Sequence, residues 1–364
     1  MDFRSDNIGI AAPEIIASIT EANFGNAAPY GDDIFSRHLK ERFSEIFERE
    51  VDVFTAITGT AANSIALSIC TPPYGIIYCH SHSHIATDEC GSPELMTGGA
   101  KLVSIDGHGA KISPSALQEE LNRSGKGFVH SAQPAALSIT QATEMGLVYS
   151  VEEIASLGEI AKSNKLYFHM DGARFGNAVS SLGASPADIT WRSGVDVLSF
   201  GATKNGTIAA EAIILFKKEL VDDLSFRHKR AGQLLSKGRF ISAQLLAYTE
   251  DNLWLKLAHK SNELATRLGT RLASLEGVSL EARVQSNEVF VTLPQIVVEG
   301  LKALGAQFYG WPEPWEASST IRLVTRWDTQ ESEVDLFIRE TSNLLKINLR
   351  NRFQIIERVP GVIN

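Results

Sequence analysis

Apolar positions along the chain follow two rhythms. Over residues 36–48, Leu39, Phe43, Ile46 and Phe47 recur at the spacing of an amphipathic helix. After that helix, short β-rich runs alternate with helical patterns. Residues 51–57, 75–79, 102–105, 166–170, 195–200 and 212–216 read as strands, and 60–69 and 151–164 as helices between them. Strands alternating with helices predict βαβ units and a mainly parallel sheet. Residues 253–275 form one long helical pattern with Leu253, Leu257, Leu264 and Leu268 on one stripe. Two further strands, 289–293 and 321–325, and a helix over 331–348 complete a smaller α+β lobe. The expected architecture is α/β, with a large domain over 1–250 that includes the N-terminal segment and a small C-terminal domain over 251–364.

Composition narrows the class. A chain of 364 residues can fold two lobes with separate cores. Its net charge of −9 gives no broad basic footprint for nucleic acid or an anionic membrane. No apolar run approaches the ~18 residues of a membrane span. The first residues show no apolar stretch of the secretory kind. Cys70, Cys79 and Cys90 are odd in number and form no CxxC pair, so reduced thiols in a cytoplasmic protein are expected.

Candidate chemistry lies at two strand ends. Residues 167–174 place Asp171 just past a buried strand, followed by Gly172, Ala173 and Arg174. The next strand runs into Gly201-Ala202-Thr203-Lys204-Asn205-Gly206, where small residues let a flat ring approach a lysine. In an open α/β sheet this edge is where ligands bind. A lysine among apolar or cationic neighbours can act as an amine nucleophile. Pyridoxal 5'-phosphate needs such a Schiff-base lysine, and a carboxylate that keeps its ring nitrogen protonated. Lys204 and Asp171 are the candidates. Thr58-Gly59-Thr60 follows another strand and opens a helix, whose Gly59 and Thr60 amides could hold the phosphate.

These motifs resemble the L-threonine aldolase family, relatives of the β-eliminating lyases on the fold type I scaffold of pyridoxal-phosphate enzymes. The resemblance runs through Phe3 to Asn7, Ala28 to Asp33, Gly59-Thr60, His84 to Cys90, Thr140 to Glu144, His169 to Phe175 and Gly201 to Gly206, and thins after about residue 250. It implies that Arg174 meets the cofactor's phenolic oxygen. His84 would stack on the pyridine face and is a candidate base for the substrate β-hydroxyl, with Glu89 near the same group. Ser5 and Arg322 would take the substrate carboxylate, with Arg326 a competitor. Tyr30 and Lys229 would complete a neighbouring subunit's site, Lys229 near the phosphate, in a homodimer or homotetramer. Many members carry a histidine beside the substrate hydroxyl where this chain reads Ile139 to Thr143, and Gln141 cannot act as a base. The implied reaction is cleavage of L-threonine, L-allo-threonine or aromatic 3-hydroxy amino acids such as L-phenylserine to glycine and an aldehyde.

Other readings lead elsewhere. β-Elimination and transamination use the same cofactor and differ in which bond at Cα breaks. A non-catalytic pyridoxal-fold regulator would not need both Lys204 and Asp171. A metal-dependent hydrolase could use His80, His82 and His84, if alternation on a strand put them on one face.

Overall fold

The computed structural model describes residues 1–311 and 319–357. It divides into two compact units, Ile10–His259 and a second formed by Met1–Gly9 with the chain from Lys260.

The larger unit is built on a seven-stranded sheet: β1 (Asp52–Ala56), β2 (Gly75–Cys79), β3 (Lys101–Ser104), β4 (Gln133–Thr140), β5 (Tyr167–Gly172), β6 (Val197–Gly201) and β7 (Glu211–Leu215). The spatial order is β1-β7-β6-β5-β4-β2-β3. Only β7 opposes its neighbours; the remaining pairs are parallel. β2, β6 and β7 are buried along their whole length, as their unbroken apolar sequences require. β2 connects onward to its neighbour β3, whereas β4, on the other side of β2, connects onward to β5. The connections therefore diverge between β2 and β4, and the carboxyl ends of such strands border a binding crevice.

Helix Gly59–Cys70 packs on one face of the sheet, burying Ala62, Ile65, Ala66 and Ile69 with Ile77, Val197 and Ile213. Alternation along β6 sends Phe200 to the other face. There it joins Phe43, Phe175, Tyr248 and Trp254, with ring centroids 5.0–6.1 Å from its own. Helix Val151–Asn164 begins on a capping box, with Ser150 and Glu153 satisfying each other's backbone amides.

β4 was not expected from the sequence. Its Pro134 lacks an amide hydrogen, and the ladder to β2 shifts register beside it, between Ile76 and Ile77.

The smaller unit holds an antiparallel sheet of β8 (Ser279–Leu280), β9 (Glu288–Thr292), β10 (Tyr309–Gly310) and β11 (Thr320–Val324), in the order β10-β11-β9-β8. The expected grouping of the N-terminal segment with the large domain is corrected here. Phe3 is fully buried in the small unit's core, 5.3 Å from Phe337 between ring centroids. Its amide donates to Gln307 and its carbonyl accepts from Val324. The expected small domain over 251–364 also includes 312–318 and 358–364, which lie outside the described residues. Among the described residues, no helix is long and apolar enough to cross a membrane.

Candidate active site

Five segments of the large unit end at one edge of the sheet and carry the polar side chains found there. Asp171 is the penultimate residue of β5 and is buried. Its Oδ1 accepts the Ala173 amide at 2.9 Å, and its Oδ2 accepts Asn63 Nδ2, from helix Gly59–Cys70, at 2.8 Å. The same Asn63 nitrogen donates to Glu89 Oε1 at 2.9 Å. Glu89 Oε1 also lies 2.9 Å from His84 Nδ1. An ionised carboxylate only accepts, so the hydrogen between Glu89 and His84 belongs on Nδ1, leaving Nε2 of the neutral ring as an acceptor.

His84 opens a short helix after β2, His84–Thr87. Its backbone amide donates to Glu144 Oε1 at 2.9 Å, and Thr140 Oγ1, at the end of β4, donates to the same oxygen at 2.7 Å. Lys204 follows β6 in a tight turn, Thr203–Asn205. The turn is braced by Asn205, which donates to Tyr248 Oη and the Trp254 carbonyl, and by buried Glu211, which accepts the Ala202 amide. Close packing of the two strand ends explains a glycine: a Cβ on Gly201 would stand 2.6 Å from the Ala173 carbonyl oxygen.

The electrostatics follow from burial and neighbours. The Glu89 hydrogen bond raises the His84 pKa above the ordinary imidazole value, with Asp171 adding to the rise and Lys204 opposing it. His84 thus lies within electrostatic reach of both Asp171 and Lys204. Burial pushes the carboxyls of Glu144 and Glu211 up to about 7, and Lys204 opposes the shift at Glu211. His169, two residues before Asp171 and on the same strand face, is pushed down to about 4 by burial. Its ring is held between Ser138 Oγ and Ser199 Oγ, at 2.8 and 3.0 Å.

The beta-eliminating lyase family model matches residues 2–295, which takes in every one of these side chains. The chain belongs to the beta-eliminating lyase family. It is 40% identical to a low specificity L-threonine aldolase of Pseudomonas sp. (strain NCIMB 10558), over 91% of this chain and 94% of that protein. It is 39% identical to the Pseudomonas aeruginosa protein of the same name, over 93% and 96%. A solved threonine aldolase from Leishmania major superposes with a TM-score of 0.88 at 27% identity, covering 94% of this chain and 99% of that one.

The cofactor of this lyase family is pyridoxal 5'-phosphate. The residues present fit it. A buried carboxylate and a lysine end neighbouring parallel strands, with an imidazole in electrostatic reach of both. Thr58 caps helix Gly59–Cys70 through Ala61, leaving the Gly59 and Thr60 amides outside the helix's own ladder. A Cβ built on Gly59 would meet nothing within 4 Å, so space is open beside those amides.

The other expected site residues are placed as follows. Arg174 is half-buried at the N-cap of helix Phe175–Leu182. Glu89, expected near the substrate, has a fully buried side chain turned to His84 and Asn63. Tyr30 and Lys229 are exposed and stand together, with the ammonium 4.8 Å from the ring centroid. In the small unit, Ser5 caps the turn Asp6–Ile8. Arg326 is committed to Asp328 and the Asp2 carbonyl, whereas Arg322 Nε is buried with no partner.

The alternating-histidine reading fails on geometry. β2 stops at Cys79, so His80, His82 and His84 share no strand face. His80 Nδ1 accepts the His82 amide and its Nε2 bonds the Gly107 carbonyl. Sequence reasoning missed Asn63 and Glu144. The available signal for Asn63 was a polar residue within the small apolar run after the Gly59 turn.

Proposed function

We propose that this chain is a pyridoxal-phosphate-dependent aldolase that cleaves L-threonine, L-allo-threonine and related 3-hydroxy amino acids such as L-phenylserine to glycine and an aldehyde. The observation that carries this reading is the His84–Glu89 pair, which leaves an imidazole nitrogen available as a base within electrostatic reach of Asp171 and Lys204. Aldol cleavage requires removal of the β-hydroxyl proton, and a neutral imidazole suits that step. The named relatives, similar over nearly their whole length, support the same reaction.

When bound, the cofactor supplies the electron sink for the carbon–carbon bond that breaks. Lys204 contributes the amine that links to it. Asp171 holds the proton on its ring nitrogen, and the Gly59 and Thr60 amides hold its phosphate. Arg174 would meet its phenolic oxygen. His84 Nε2 accepts the substrate hydroxyl proton, and the buried Glu89 carboxylate stabilises the imidazolium that forms. Ser5 and Arg322 are the proposed carboxylate ligands. The exposed Tyr30–Lys229 pair is proposed to complete the site of a second copy, in a homodimer or homotetramer. β-Elimination is the second reading, favoured by the family's name. Incubation with L-threonine and L-phenylserine separates the two, because cleavage yields glycine with acetaldehyde or benzaldehyde, whereas elimination releases ammonia.

A further inference from the structure

A short helix carrying a catalytic side chain needs its first amides satisfied, or the side chain drifts with the frayed turn. Helix His84–Thr87 has no local solution: Ser83, its N-cap residue, makes no side-chain capping bond. The acceptor comes instead from 60 residues away, where Glu144 Oε1 takes the His84 amide. The same oxygen takes the hydroxyl of Thr140, which pairs across the sheet with Asp171. One carboxyl oxygen therefore joins the backbone of the proposed base to the strand end beside the pyridine-nitrogen carboxylate. The other oxygen, Oε2, is buried with no partner.

We infer that Glu144 is a positioning residue, whose side chain fixes His84 relative to Asp171 by capping the His84 backbone in place of Ser83. Burial pushes its pKa up to about 7, so near neutrality the carboxyl adds only part of a negative charge to those of Glu89 and Asp171 around His84. Glu144 acts through the His84 main chain, so its loss should lower kcat and leave KM little changed.

The test compares Glu144→Leu and Glu144→Gln in the cofactor-loaded enzyme, by the visible circular-dichroism band of the bound cofactor and by kcat and KM for L-threonine. The activity arm rests on the aldolase reading; the dichroism arm needs only the cofactor with His84 beside it, so the two can fail separately. Glu144→Leu should still trap cofactor on Lys204 with borohydride, but weaken the band and lower kcat roughly 10²-fold, the usual cost of misplacing a reacting group by about 1 Å. Glu144→Gln retains an accepting oxygen and should recover most of both losses. Parent-like dichroism and kcat in Glu144→Leu would overturn the proposal. So would a Glu144→Gln enzyme as impaired as Glu144→Leu, since the carboxyl rather than its acceptor oxygen would then be required. If Glu144→Leu does not fold, Glu144→Asp decides: its arm is one methylene short of the His84 amide, so a weakened band and low kcat support the role and parent-like values refute it.

Discussion

Exchanging Glu89 for Gln removes one buried charge and leaves an oxygen that still accepts from His84 and Asn63. The parent contact is short, 2.9 Å from Glu89 Oε1 to His84 Nδ1, and the glutamate side chain is fully buried. A hydrogen bond to a charged group contributes about 1.5–3 kcal/mol. Loss of that interaction lowers the His84 pKa, because the protonated ring is the form Glu89 favours. The His84 side chain is 40% exposed, and solvent screening holds the effect to the lower end of that range. The sign follows from which form the carboxylate favours. Glu89 stabilises protonated His84, so the parent ring becomes a neutral base only above a raised pKa. In the parent, kcat/KM for L-threonine should fall as pH drops through that raised value. In Glu89→Gln the acid limb should move to lower pH. The rate at the alkaline plateau should fall as well, because the imidazolium formed during proton transfer loses its counter-charge. Initial rates of acetaldehyde release across the limb measure both. An acid limb that stays in place, or moves up, would refute the assignment of His84 as the base held by Glu89.

Three further outcomes are expected. Borohydride should fix the cofactor to the peptide containing Lys204 in the parent and to no peptide in Lys204→Ala; a label on Lys217 or Lys218 would displace the assignment. Arg322→Lys should raise KM roughly 10- to 100-fold through loss of a bidentate carboxylate contact, whereas Arg326→Lys should act on stability, since its fork is committed to Asp328 and Asp2; the reverse pattern in KM and melting temperature would exchange their roles. Sedimentation should find a dimer or tetramer, and a fully active monomer would remove Tyr30 and Lys229 from the site.

How far the sequence carried these assignments depends on where each signal lies. β2, β6 and β7 were legible because strands buried on both faces leave unbroken apolar runs. The start of helix Val151–Asn164 was legible, since its capping box is local. β4 was not, because Pro134 and two alanines carry little strand signal and pairing on both sides holds the segment extended. Lys204 lies after its strand as expected, whereas Asp171, expected just past a strand, lies inside β5, one residue before its end. The links among the site residues were not legible: Asn63 reaches Asp171 across 108 positions, and Glu144 reaches His84 across 60. Such contacts exist only once the strand order is set. The alternating histidines misled for the same reason, as the chain leaves β2 before the first of them.

Lys204, Asp171 and His84 are proposed to serve cleavage of a carbon–carbon bond. Product analysis of the cofactor-loaded enzyme with L-threonine tests it most directly. Glycine and acetaldehyde should form in equal amounts, and Lys204→Ala should form neither. Ammonia with the corresponding 2-oxo acid, in place of glycine and acetaldehyde, would contradict the claim and establish elimination.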